Sequence, residues 1–190
     1  MIRWNVILAG GVGSRFWPLS TPERPKQLLP LISNAPMLSD TIERMSTLAP
    51  AARTLVLTNA GLRDAILSMH AGLLPENVIA EPRPAGTCAA LAWAARVIAS
   101  RSGADAVMLC VHADWAIADV PGFRATLASA AELAALEHAL VTVGIVPSRP
   151  DPGFGYIQPG APLTSSIGGG HTGAFRVARF VEKPDRARAV

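Results

Sequence analysis

Charge is scarce in this chain. Asp, Glu, Lys and Arg make up 16% of its 190 residues, and the formal net charge is only +3. The basic residues are scattered and not run together, which excludes the electrostatic footprint of a DNA- or RNA-binding surface. A local anionic ligand is the better match for so small an excess. Thiols are scarcer still. Cys88 and Cys110 are the only cysteines, neither sits in a C-x-x-C pair, and each lies in an apolar segment, so both are expected to be small core hydrophobes. Long apolar runs are missing as well: none reaches about 18 residues. Met1 leads directly into strand-like residues, not into a basic n-region and an apolar h-region. The expectation is a soluble, cytoplasmic protein with no membrane partner.

What is present is a large apolar fraction, half of all residues, on a chain long enough for one domain with a substantial core. Trp4–Leu8 is a short β-forming run that ends at a glycine cluster. Similar runs follow at Thr54–Thr58, Val78–Ala80, Ala106–Val111 and Leu140–Val146. Segments of helical period lie between them: Met37–Leu48, Gly61–Ala71, Thr87–Ser100 and Phe123–Ala139. Strands alternating with helices of this length predict βαβ crossovers, and so a mostly parallel sheet covered on both faces. After Pro147 the pattern changes to Phe154–Gln158 and Phe175–Glu182, two strand-like runs flanking a glycine tract at 168–170 that reads as a hairpin connection. The predicted fold class is α/β: a Rossmann-like, three-layer α/β/α sheet with an appended short antiparallel β region.

The glycine cluster after the first strand carries the chemistry. Gly10-Gly11-Val12-Gly13 can present backbone N–H groups to phosphate oxygens, because glycine permits the backbone angles and the close approach that such a cradle needs. Two familiar readings fail. A dinucleotide fingerprint requires glycine where Phe16 stands and an acidic residue near 31–34, where the chain reads Leu-Ile-Ser-Asn. A Walker A loop requires Gly-Lys-Ser/Thr after four spacers, which is absent. Arg15 and Lys26 stand close by, each set in proline-stiffened backbone. Two cations held beside a glycine loop suit a polyphosphate.

The stretch Leu8-Ala9-Gly10-Gly11-Val12-Gly13-Ser14-Arg15-Phe16-Trp17-Pro18-Leu19-Ser20, followed by Pro25-Lys26-Gln27-Leu28-Leu29, closely resembles the signature of the mannose-1-phosphate guanylyltransferases, or GDP-mannose pyrophosphorylases, of the sugar-phosphate nucleotidyltransferase family. The resemblance implies a nucleotide-diphospho-sugar transferase fold. It implies that Leu8, Ala9, Gly10, Gly11, Gly13, Ser14 and Arg15 hold the triphosphate and that Lys26 contacts the phosphate under attack. Glu81-Pro82 and Gly86-Thr87 resemble the segment that contacts the nucleotide base. His112-Ala113-Asp114 resembles the strand-end segment whose aspartate binds the catalytic Mg²⁺. Gly153-Phe154-Gly155-Tyr156-Ile157 and Phe180-Val181-Glu182-Lys183-Pro184 resemble the sugar-phosphate segments, with Gly155, Tyr156, Glu182 and Lys183 as their site residues. By themselves Glu182 and Lys183 read better as a surface pair before a proline turn; the upstream motifs reverse that preference.

The resemblance implies one domain over 1–190, with a nucleotide-binding part over about 1–146 and the start of a sugar-phosphate-binding part over about 147–190. It implies transfer of a nucleotidyl group from a nucleoside triphosphate, GTP first, to a sugar 1-phosphate, mannose 1-phosphate first. Arg15, Lys26 and Asp114 are the catalytic candidates, Asp114 is the metal ligand and Mg²⁺ the cofactor. A homo-oligomer is left open. So are dTTP, UTP or ATP as the nucleotide, and a non-catalytic nucleotide-binding module. The chain departs from the family pattern at Ala85-Gly86-Thr87, where Arg-Asn-Thr is usual, and at His112 and Trp115, which flank Asp114 in place of proline and histidine. Family members continue well past Glu-Lys-Pro, into sequence that includes a second metal-binding aspartate. A fragment, a shortened product or completion by a partner chain is therefore expected.

Overall fold

The structure is a computed structural model that describes residues 1–11, 16–21, 24–69, 72–163, 166–167, 170–171 and 173–189, with backbone alone at 166, 167, 170 and 171. The chain forms two compact units, Met1–Ala131 and Glu132–Val190. Their boundary falls inside a helix, ahead of the change in sequence pattern at Pro147.

The first unit is built on four parallel strands, β1 (Arg3–Leu8), β2 (Thr54–Asn59), β3 (Val78–Glu81) and β4 (Val107–His112), in the order β3-β2-β1-β4. Helices α1 (Met37–Met45), α2 (Ala60–Ser68), α3 (Thr87–Ser102) and α4 (Val120–Glu137) connect or follow them. Side chains alternate across the sheet, as strand geometry requires. Trp4, Val6, Leu55 and Leu57 face Ala90, Ala94 and Ile98 of α3. Ile7, Val56, Leu109 and Val111 face Leu38 and Met45 of α1, Leu62 and Ile66 of α2, and Leu127 and Ala131 of α4. These two apolar layers are the three-layer α/β/α arrangement that the sequence predicts.

Helix α3 buries one narrow stripe, Ala90, Ala94 and Ile98, and its ends are set by glycines. Gly86 and Gly103 both adopt φ near 85° and ψ near 165°, a region that only glycine occupies without strain. Cys88 lies off the buried stripe and is exposed, which corrects the expectation of an interior thiol; Cys110, on β4, is partly buried.

In the second unit β5 (Gly155–Pro162) pairs antiparallel with β8 (Phe175–Glu182), with Tyr156 opposite Val181 and Ile157 opposite Phe180. A short pair, β6 (Ser166–Ile167) and β7 (Gly170–His171), runs antiparallel around 168–169, which lie outside the described residues. Helix α5 (Arg186–Ala189) follows β8, with the Asp185 carboxylate accepting from Arg188 N. The appended antiparallel region is therefore present. The strand expected at Leu140–Val146 is not: Leu140, Ile145 and Val146 are 103%, 86% and 89% exposed, and no described strand runs beside them. Their β-forming side chains express a fit to a neighbouring strand, and without one they form no ladder. Among the described residues no helix is long and apolar enough to cross a membrane.

Candidate functional site

Strand register gathers the candidate residues of the first unit. Leu8 is aligned with Leu57 on one side and His112 on the other, and Asn59 with Glu81, so the glycine loop, Glu81 and Asp114 all lie at or just past strand ends on the carboxyl edge of the sheet. The chain leaves β1 toward β2 and β3, then crosses back to place β4 on the far side of β1. That reversal is a topological switch point, where open α/β sheets leave a crevice for ligands. The glycine loop and Asp114 stand on its two sides.

Asp114 is held there by its neighbour. Ala113 N donates to Leu8 O at 3.0 Å, and Thr41 Oγ1 donates to Ala113 O at 3.2 Å, so the peptide before Asp114 is tied to β1 and to α1. The His112 and Trp115 rings, 5.4 Å apart between centroids, stand on either side of it in sequence. The carboxylate forms an ion pair with Lys26 Nζ, and the two side chains are 26% and 22% exposed. Lys26 also lies 5.7 Å from the centroid of the Phe16 ring. A cavity of about 80 Å³ is lined by Ala9, Gly11, Lys26, Gln27, His112 and Asp114.

The loop itself is tied at its carbonyls. Gln27, 2% exposed, donates from Nε2 to Ala9 O at 2.8 Å and to Gly11 O at 3.0 Å. Thr58 Oγ1 donates to Ala9 O at 3.2 Å, and Asn59 Nδ2 to Gly10 O at 3.4 Å. Asn59 also caps α2 by accepting from Leu62 N at 3.1 Å. Gly13, Ser14 and Arg15, expected at the triphosphate, lie outside the described residues.

A larger cavity, about 310 Å³, opens at the end of β3, lined by Glu81, Pro82, Arg83 and Ala85 and by Ala89 and Trp93 of α3. The Glu81 carboxylate lies against the loop, 3.6 Å from where a side chain on Gly10 would begin. Gly86 and Thr87 form the N-terminal end of α3. Sequence reasoning missed Arg83 and Trp93 as lining residues, and it missed Thr58 and Asn59 as loop donors. A signal for the last two existed: a polar pair closing an apolar strand at the sheet's carboxyl edge.

In the second unit a Cβ on Gly155 would fall 2.7 Å from Glu182 Oε2, so the glycine leaves room for the Glu182 carboxylate across the β5–β8 pair. Lys183 Nζ lies 3.4 Å from Glu182 Oε1. Its backbone is left-handed, φ 44°, which costs a non-glycine residue about 1–2 kcal/mol. Tyr156 is engaged locally: its hydroxyl donates to Asp151 O at 3.1 Å and accepts from Asp151 N at 2.8 Å.

No group of three or more His, Cys, Asp or Glu that could hold a metal occurs among the described residues. A lone carboxylate such as Asp114 suits Mg²⁺, which typically keeps waters and takes one or two carboxylates together with substrate phosphates. The donor set thus fits Mg²⁺ arriving with a phosphate ligand, and not a cage built from protein alone.

A parallel sheet with a glycine loop, a lysine and a strand-end aspartate at its switch point defines a nucleotide-handling α/β domain, and the nucleotidyl transferase family profile matches residues 4–190. The chain belongs to that family. Mannose-1-phosphate guanylyltransferases from Klebsiella pneumoniae and Escherichia coli are each 44% identical to it over 186 residues. The match takes in 97% of this chain, which spans 38% of the length of either relative. Among solved structures, a Thermus thermophilus protein described as a mannose-1-phosphate geranyltransferase superimposes with a TM-score of 0.82 at 31% identity, covering all of this chain and 52% of the other.

Proposed function

We propose that this chain carries the nucleotidyl-transfer part of a mannose-1-phosphate guanylyltransferase, joining GTP and mannose 1-phosphate into GDP-mannose with release of pyrophosphate. The observation that carries the reading is the Lys26–Asp114 pair at the switch point, beside a loop whose carbonyls are tied back. Relatives of that name at 44% identity support the choice of substrates.

A nonbridging oxygen of the sugar 1-phosphate attacks the α-phosphorus; a new P–O bond forms, the α–β bridge breaks, and pyrophosphate leaves with the bridging electrons. A phosphate monoester has its second pKa at about 6, so at neutral pH the nucleophile is already mostly dianionic and needs no general base. Catalysis then rests on positioning and charge neutralisation. Lys26, Arg15 and the N–H groups of the glycine loop screen repulsion between the two anions and stabilise the leaving group. Asp114 would hold Mg²⁺, which would supply neutralisation of the charge that develops on the phosphates. Glu81 and Pro82, with Gly86 and Thr87, take the base; Gly155, Tyr156, Glu182 and Lys183 take the sugar phosphate. A cytoplasmic location belongs to the same proposal: both substrates are polyanions that do not cross lipid, so the reaction takes place in the compartment that holds them both.

The test is pyrophosphate release from GTP, dTTP, UTP and ATP against mannose 1-phosphate and a panel of other hexose 1-phosphates. The expected result is highest kcat/KM for GTP with mannose 1-phosphate. A profile led by another nucleotide moves the chain to a sister activity. Thermal stabilisation by GTP with no turnover identifies a nucleotide-binding module without catalysis.

A further inference from the structure

We propose that Gln27 is a positioning residue of the phosphate-binding loop, helping to set the direction of its N–H groups through their carbonyl edges. The inference rests on the reading of that loop as a triphosphate site.

Three observations carry it. First, the Gln27 amide is held in one orientation. Its Nε2 reaches two loop carbonyls, Ala9 O and Gly11 O, while its Oε1 is buried and has no hydrogen-bond partner among the described residues. Turning the amide over would set Oε1 against both carbonyl oxygens, so the two donor bonds decide the orientation.

Second, a trans peptide points its N–H opposite to its C=O. With Ala9 O drawn to Gln27 and Thr58, the Gly10 N–H is turned away from them, and with Gly10 O drawn to Asn59, so is the Gly11 N–H. Gly11 O is held by Gln27 alone among these donors. The side chains that hold these carbonyls thus select which polar edge of each peptide is left for a ligand. A loop with free carbonyls could present either edge, and a carbonyl facing a triphosphate would repel it.

Third, Gln27 follows Lys26 in a single 3₁₀ turn, Lys26–Leu28, closed by Leu28 N to Pro25 O at 2.9 Å and Leu29 N to Lys26 O at 3.0 Å. The cation and the brace of the loop therefore move together. Lys26 is placed relative to the loop by its neighbour's amide as well as by its own pair with Asp114.

The experiment uses the 190-residue chain and measures the Kd for Mg·GTP by calorimetry, with KM values for both substrates where turnover is present. Gln27→Met keeps the volume and removes both donors. The expected result is at least a ~10-fold rise in Kd and in KM for GTP, with KM for the sugar phosphate within twofold of wild type. Gln27→Glu supplies the second readout and covers the case in which the methionine variant does not fold. Its carboxylate faces two carbonyl oxygens at pH 8, whereas the protonated acid near pH 5.5 regains one donor. Its deficit relative to wild type at the same pH should therefore shrink as pH falls, and that of Gln27→Met should not. A folded Gln27→Met that binds GTP within twofold of wild type overturns the inference, as does a pH-independent deficit in Gln27→Glu. A wild-type chain that binds none of the four nucleoside triphosphates removes the nucleotide reading itself, and the role of Gln27 falls with it.

Discussion

Lys26 Nζ and the Asp114 carboxylate, 88 residues apart in sequence, neutralise each other at the switch point of the sheet. In the proposed reaction each is promised to a different ligand: Lys26 to the triphosphate, Asp114 to Mg²⁺. Either ligand arriving alone must part the pair and leave one charge without its partner; together they satisfy both. Nucleotide and metal should therefore bind synergistically. In calorimetric titrations Asp114→Asn should bind metal-free GTP at least as tightly as wild type, because Lys26 is released, and should lose the enhancement given by Mg²⁺. Weaker metal-free binding by that variant would count against the competition.

Replacing Lys26 by Ala should lower turnover by at least ~100-fold, the scale set by losing one preorganised charge-stabilising group. Steady-state rates of pyrophosphate release check this, and an unchanged rate would take Lys26 out of the reaction. The wild-type fold should survive the change, since the 3₁₀ turn is closed by backbone bonds and by Gln27.

Asn5 is a structural counterpart to Gln27. It is fully buried on β1, and its Nδ2 donates to Met45 O at 3.0 Å, Ala49 O at 3.2 Å and Thr54 Oγ1 at 3.2 Å, tying the end of α1 and the start of β2 to the central strand. Asn5→Ala removes the three buried bonds, with Met45 O keeping only its bond from Leu48 N, and is expected to cost about 2–3 kcal/mol. Urea unfolding should show a lower midpoint at unchanged slope.

Burial pushes the Cys110 thiol up from 9.0 to about 11. The folded state thus keeps a proton that the unfolded chain releases above pH 9.0. This contribution is complete below the unfolded pKa and is lost as pH rises from 9.0 to about 11, for a total of up to roughly 3 kcal/mol. Cys110→Ala should flatten that part of the stability profile in denaturant melts taken between pH 8 and 11. An unchanged slope would place the alkaline loss elsewhere.

Much of the candidate site is legible in the sequence, because its signals are local. A β-forming run that stops at glycines, a lysine between prolines and an aspartate after an apolar strand each carry their meaning within a few residues. The same holds for α3, bracketed by Gly86 and Gly103 at angles only glycine takes easily. What failed depended on partners distant in sequence. Leu140–Val146 has strand composition but no strand beside it among the described residues. Cys88 sits in an apolar segment yet misses the buried stripe, since the stripe is set by which side of α3 meets Trp4, Val6, Leu55 and Leu57. The Gln27 amide is visible within a motif, but its work reaches 16 and 18 residues back along the chain and exists only once the loop has folded over it.

The unequal fates of the two cysteines make the protein its own optical instrument. Cys88 is open to solvent beside Ala89, which lines the larger cavity, whereas Cys110 is shielded and stays protonated at neutral pH. A maleimide fluorophore at pH 7 should label the native chain once, at Cys88, with a second equivalent taken up only in denaturant. Emission from a dye so placed would then report occupancy of the cavity in real time, with no engineered residue.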